Sequence, residues 1–195
     1  MRLLLATHNE HKRRELGRLL PGHEIALLPA AVELPPEDGA TFAANALGKA
    51  RAAASATGQV TIADDSGIEA AALGGAPGVR SARYAGEHAT DGENLDKLLR
   101  EAPSGSGLAY VCALAYVDPV GGVEQLFEGR CTGRLAAEPR GEGGFGYDPA
   151  FLPDDVDVVL AGMTMAELTD AQKDAISHRG RAARSLDEWL ALRRG

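Results

Sequence analysis

The chain has 195 residues, 45% of them hydrophobic and 25% charged, with a formal net charge of −8. Such a length supports one large domain or two small lobes around a folded core. The acidic balance excludes a duplex nucleic-acid binder, which needs a basic surface, and no apolar run is long enough for a membrane span.

A phosphate-bearing small molecule stays open, because a few local Lys and Arg residues or a divalent metal can supply the attraction. Cys112 and Cys131 stand in strand-like segments with no CxxC pair and no His at zinc spacing. They are expected to be buried free thiols of a reducing cytoplasm. Met1 leads straight into an apolar segment without a basic n-region, so no secretory leader is predicted.

In chain order, residues 2–6 predict a short buried strand. Asn9 caps a helix that carries Leu16, Leu19 and Leu20 at helical spacing. A second strand is predicted near 24–28, and 32–39 with Pro35 and Pro36 as a loop. Thr41 caps a long Ala-rich helix closed by Gly58. Residues 59–63 form a strand that delivers Asp64, Asp65, Ser66 and Gly67 onto a glycine turn, and 69–73 pair at its edge. Asp91 caps a helix bearing Leu95, Leu98 and Leu99. Residues 108–117 and 123–130 flank Asp118-Pro119-Val120-Gly121-Gly122 as a hairpin. Residues 139–149 are a glycine-rich loop, and Thr164 with Glu167 forms a capping box opening another helix. A last helix carries Leu186, Trp189, Leu190 and Leu192. Strands that mix helical crossovers with a hairpin predict an α/β fold with a mixed sheet, elongated into two lobes.

Five constellations carry chemistry. Adjacent Asp64 and Asp65 repel unless a cation or donors offset them; an Asp-rich solvated turn fits the same letters. Thr7, His8, Asn9 and Lys12 lie between a strand and a helix N-terminus, where free N–H groups and the dipole suit an anion; a capped helix with a surface Lys also fits. Asn45 and Lys49 share a helical face by their i,i+4 spacing, and Glu37 stands just before Gly39, within reach of the aspartates. Gly143-Gly144-Phe145-Gly146-Tyr147-Asp148 leaves Phe145 able to present a flat face, and base stacking on an aromatic is worth about 1–3 kcal/mol. Asp148 can accept from a base N–H. Lys173, Ser177, His178 and Arg179 place donors where the last helices meet.

Together these segments resemble the inosine triphosphate pyrophosphatase family. The matching stretches are ATHNEHKRREL (6–16), TFAANALGKA (41–50), ADDSG (63–67), GAPGVRSARYAG (75–86), GGFGYDP (143–149) and AELTDAQKDAISHRG (166–180). Each is weak alone; six in the family's order, over nearly the whole chain, are specific. The resemblance implies one pyrophosphatase domain over 1–195: an elongated mixed sheet flanked by helices, two lobes and a central nucleotide-binding cleft. It implies a cytoplasmic homodimer that hydrolyses ITP, dITP and XTP to the monophosphate and pyrophosphate with Mg²⁺, or Mn²⁺ in its place. Carried over by position, Asp65 is the general base and a metal partner, with Glu37 and Asp64 completing the metal set. Thr7, His8, Asn9, Lys12, Lys49 and Ser66 handle the triphosphate. Phe145 stacks on the base within the loop that includes Gly146 and Tyr147, and Asp148, Lys173, His178 and Arg179 read its edge. Donors facing purine O6 disfavour adenine, whose amino group sits there. GTP also carries O6, and nothing in the sequence accounts for its rejection.

Two departures stand out. Ala44 replaces the Glu that relatives often carry before the helix Asn, and the 154–163 stretch is longer than usual, acidic and then apolar. The competing readings are a Maf-type pyrophosphatase of pyrimidine or modified nucleotides, which the FGYDP and SHRG stretches oppose, and a catalytically silent nucleotide sensor, which the Asp64–Asp65 pair opposes.

Overall fold

The structure, a computed structural model, describes residues 1–193. Six strands form one mixed sheet in the order β2-β1-β3-β4-β5-β6. They are β1 (Arg2–Leu5), β2 (Glu24–Leu27), β3 (Thr61–Ala70), β4 (Gly107–Asp118), β5 (Val123–Leu135) and β6 (Phe151–Pro153). The helices are α1 (Glu10–Leu19), α2 (Phe42–Thr57), α3 (Asp91–Glu101), α4 (Asp170–Ile176) and α5 (His178–Leu192).

β1 is apolar and buried from Leu3 to Leu5 because it lies between two parallel neighbours, β2 and β3. Those neighbours stand on opposite sides of β1. Right-handed crossovers therefore put α1 and α2 on opposite faces of the sheet. The point where the strand order reverses, between β1 and β3, is where open α/β sheets place ligands. α1 starts at Asn9, whose side chain accepts the N–H groups of His11 and Lys12. α2 starts at Thr41, which accepts the Ala44 N–H, and closes at Gly58 with φ +66°. Its fully buried stripe of Ala46, Ala50, Ala53 and Ala54 recurs at helical spacing and lets the helix pack closely.

β3 differs from its expected form. It does not stop before Asp64 but runs unbroken to Ala70, so the aspartates sit inside a strand and not on a turn. Gly67 is there for close approach: a Cβ at that position would lie 2.4 Å from Ser81 Oγ and 2.6 Å from the Gly78 carbonyl oxygen. Ser81 Oγ in turn accepts the Ile68 N–H at 2.8 Å. Glu69 and Ala70 complete the strand, and Ala71–Leu73 is a 3₁₀ turn, not an edge strand.

β4 and β5 form the expected hairpin, antiparallel because four residues cannot make a parallel crossover. The short β6, antiparallel to β5, was not expected. The Thr164–Glu167 capping box is present, but it closes only the 3₁₀ turn Met165–Glu167. α4 opens later, under a second box made by Thr169 and Gln172.

The chain divides into two compact units. The first comprises residues 1–65 and 112–129 and the segment beginning at Arg179; the second comprises 66–111 and 130–178. β3, β4 and β5 contribute residues to both. Each unit has its own core: Leu3, Leu5, Leu16, Ile62, Leu114 and Leu186 in the first, and Ile68, Leu98, Leu108, Leu135, Phe151 and Met165 in the second. No described helix is long and apolar enough to cross a membrane.

Candidate active site

In the first unit, β1 ends at Leu5 while β3 continues beside it, bringing Asp64 and Asp65 to the reversal point. Successive strand residues point to opposite faces, so two carboxylates adjacent in sequence enter different surroundings. Asp64 is 0% exposed. Its Oδ2 receives Arg179 Nε at 3.2 Å and Nη2 at 3.0 Å, and Lys12 Nζ lies 3.3 Å away. The remaining arm of Arg179 donates to Glu15, itself buried. Two cations and two carboxylates thus close a neutral cluster under α1. Burial alone pushes the Asp64 pKa up, but the charges of Lys12, Arg179 and Lys49 overcome it and hold the group well below the usual carboxylate range.

Asp65, 4% exposed, has the opposite balance. Its Oδ2 accepts from Asn45 Nδ2 at 2.8 Å, and Asn45 Oδ1 accepts the Gly39 N–H at 2.8 Å, which fixes the amide's orientation. Burial raises the Asp65 pKa and Glu37 adds to it, against the opposing charges of Lys49 and Lys12. Lys49, one turn beyond Asn45 on α2, donates to the Asp64 carbonyl oxygen at 2.7 Å and pairs with Glu37. Burial works against its charge, yet Asp64, Glu37 and Asp65 together raise its pKa. Opposed environments of this kind suit distinct acid–base roles, and buried ion-pair networks produce them as well.

The loop after β1 is ordered by its own hydroxyl and amide. Thr7 Oγ1 accepts the Asn9 N–H at 3.1 Å, Asn9 caps α1, and His8 is exposed.

The second unit holds the aromatic loop. Asp148, 2% exposed, accepts the Tyr110 hydroxyl at 3.0 Å on Oδ1, and the Phe145 N–H at 2.9 Å and Lys173 Nζ at 2.7 Å on Oδ2. Lys173 Nζ lies 5.0 Å from the centroid of the half-buried Phe145 ring, a cation–π distance. The His178 ring stacks on Tyr110 at 4.6 Å and 7°. A Cβ at Gly144, where φ is +70°, would fall 2.1 Å from Asp148 Oδ2, so only glycine lets the loop close over that carboxylate.

The chain matches the Ham1 family over residues 3–189. It belongs to the Ham1 family. A dITP/XTP pyrophosphatase of Mycolicibacterium paratuberculosis is 48% identical, covering 99% of this chain and 98% of the relative. Another from Frankia alni is 47% identical with 97% of each covered. A solved Ham1 protein from Coxiella burnetii superposes with a TM-score of 0.86 at 38% identity, 98% of each chain covered. The family resemblance carried by the six sequence motifs is thereby borne out, as is the mixed α/β sheet flanked by helices.

Among the residues expected to form the site of this Ham1 chain, the first unit gathers Lys12, Glu37, Lys49, Asp64 and Asp65, and the second gathers Phe145, Asp148, Lys173 and His178. Three of the expected residues are held by partners within the protein. Arg179, 1% exposed, has both arms of its guanidinium held by Asp64 and Glu15. Asp64, expected among the metal ligands, turns its Oδ2 to two cations, Lys12 and Arg179. The Tyr147 hydroxyl is engaged internally, donating to the Ser81 carbonyl oxygen at 2.7 Å. Ser66 lies half-buried in β3, and Gly146, with φ +63°, serves the loop through its backbone.

Asn45, on the same helical face as Lys49, is the partner of Asp65. Glu15 and Tyr110 were missed. Glu15 had a signal, since it stands three residues after Lys12 on the same helical face. Tyr110 had none, being one of several aromatics in an apolar strand.

Proposed function

We propose that this chain hydrolyses non-standard purine nucleoside triphosphates, with dITP, ITP and XTP as substrates, to the nucleoside monophosphate and pyrophosphate. The observation that carries the proposal is the pair of adjacent aspartates with opposed environments, in a chain whose full-length relatives are dITP/XTP pyrophosphatases. A carboxylate held above its usual pKa is the better proton acceptor. Asp65 takes a proton from water as the water oxygen bonds to the α-phosphorus and the bond to the pyrophosphate leaving group breaks. Asp64 keeps its charge and holds Lys12 in place. Lys12 and Lys49 supply positive charge for the phosphate oxygens, where negative charge develops.

A divalent cation would fit the Glu37 and Asp65 carboxylates. Mg²⁺ uses one or two carboxylates with substrate phosphates. Asp65 and Glu37 are close enough that the charge of one raises the pKa of the other, a repulsion a cation would relieve. Glu37 and Asp65 would therefore hold Mg²⁺, or Mn²⁺. When bound, the ion would offset phosphate charge and lower the pKa of its water.

Phe145 stacks on the base, and Lys173, whose ammonium lies 5.0 Å from the ring centroid, and His178 act as donors for O6. An adenine amino group there leaves a buried donor unpaired, at a cost of about 1–3 kcal/mol. We further assign the chain to the cytoplasm as a homodimer acting as a single pyrophosphatase domain. The test is pyrophosphate release from ITP, XTP, ATP, GTP and dTTP with Mg²⁺ and with EDTA. Metal-dependent release from ITP and XTP well above ATP and GTP is expected. Preference for dTTP, or no release at all, would overturn the proposal.

A further inference from the structure

We infer that Asp91 is a positioning residue for Phe145: from the first turn of α3 it accepts the Gly146 N–H and so fixes the direction of the ring. The Phe145 backbone has two soft dihedrals, each bounded by a peptide plane. Asp148 Oδ2 pins the plane before it through the Phe145 N–H at 2.9 Å. Asp91 Oδ2 pins the plane after it through the Gly146 N–H at 2.9 Å. Gly144 and Gly146 on either side have positive φ values of +70° and +63°. They are permissive hinges that give the ring no stiffness of their own. Asp148 belongs to the loop itself, whereas Asp91 reaches it from 55 positions away.

Asp91, expected as the cap of α3, is not the cap: it stands in the first turn, where its charge suits the helix dipole while its Oδ2 reaches the loop. Thr90 is the N-cap of α3, and the helix start is closed by a reciprocal box. Thr90 Oγ1 accepts the Glu93 N–H, and Glu93 Oε2 accepts the Thr90 N–H at 2.8 Å. The next loop residue is anchored separately, by the Tyr147 hydroxyl on the Ser81 carbonyl oxygen. Asp91 therefore acts on one peptide plane, the one that sets the ψ of Phe145.

This inference rests on the base-stacking role proposed for Phe145, and one kinetic cycle separates the two. Asp91→Ala is expected to raise KM for dITP about 5-fold while kcat stays within about 2-fold, the pattern of lost ground-state and transition-state binding alike. Competitive inhibition by inorganic tripolyphosphate, which has no base, should be unchanged. Asp91→Asn, which keeps a side-chain oxygen acceptor, should restore most of the KM. In a Phe145→Ala background, Asp91→Ala should add nothing. A raised KM with Phe145→Ala but a normal KM with Asp91→Ala would overturn the role of Asp91, and so would an equal effect of Asp91→Ala in both backgrounds. A normal KM with Phe145→Ala would overturn the stacking reading and the inference with it.

Discussion

Asp65→Asn is expected to lower kcat on dITP by about 10²–10⁴-fold, the range attributable to a positioned general base, while dITP still binds. The asparagine keeps an oxygen able to accept from Asn45 Nδ2, so the connection to α2 survives. Burial first, and then Glu37, disfavour the ionised form of Asp65. A carboxyl whose folded pKa is raised favours folding most at low pH, and that contribution is lost as pH rises through its folded pKa. At neutral pH the variant should accordingly be no less stable in urea than the wild type, although nearly inactive. The acid limb of kcat/KM should lie above the usual Asp value in the wild type and be absent from the residual activity of the variant. Turnover within a few-fold of wild type would remove Asp65 from the mechanism.

Arg179→Met should lower stability by about 3–5 kcal/mol, the cost of breaking a buried ion pair from one side. The side chain is 1% exposed and pairs with two buried carboxylates, Asp64 and Glu15, sharing their charge with Lys12. Lysine is not a conservative replacement, because a single ammonium cannot reproduce a fork shared between two acids. The pH dependence follows from Asp64, whose pKa is depressed. Its stabilisation is present above the ordinary Asp value near pH 4 and is lost as pH falls toward its folded value. The urea midpoints of wild type and variant should therefore differ most at pH 7, and the difference should begin to shrink only as pH falls below about 4. A difference below about 1 kcal/mol at pH 7 would show that the cluster does not hold the fold together.

The elements governed by local rules were legible. Asn9 and Thr41 cap where hydroxyl and amide caps belong, Gly58 ends α2 in a left-handed turn, and the β4–β5 hairpin closes around its Gly-Gly turn. What local rules could not supply was the length of β3. The Asp-Asp-Ser-Gly letters carry turn propensity, yet the strand runs on as an interior strand between β1 and β4, and Ser81, fourteen residues beyond Gly67, accepts the Ile68 N–H and leaves room only for a glycine. That persistence changes the chemistry. On a turn the two aspartates would share one environment; in a pleated strand one meets Lys12 and Arg179 and the other meets Asn45.

The site residues divide along the same line. Asn45 and Lys49 announced a common face by their spacing, and Phe145 stood out as a rare aromatic among glycines. Arg179 could be found as part of a motif but not assigned its duty, because its partners lie 115 and 164 positions away. Capping-box letters likewise occur twice within nine residues, at Thr164 and Thr169, and only packing decides that the second opens a full helix.

The most direct measurement is hydrolysis of dITP in ¹⁸O-labelled water with Mg²⁺, followed by mass spectrometry of both products. Attack at the α-phosphorus with Asp65 accepting the proton places one ¹⁸O in dIMP and none in pyrophosphate. Label in pyrophosphate, or release of inorganic phosphate in its place, would contradict the reaction assigned to this site.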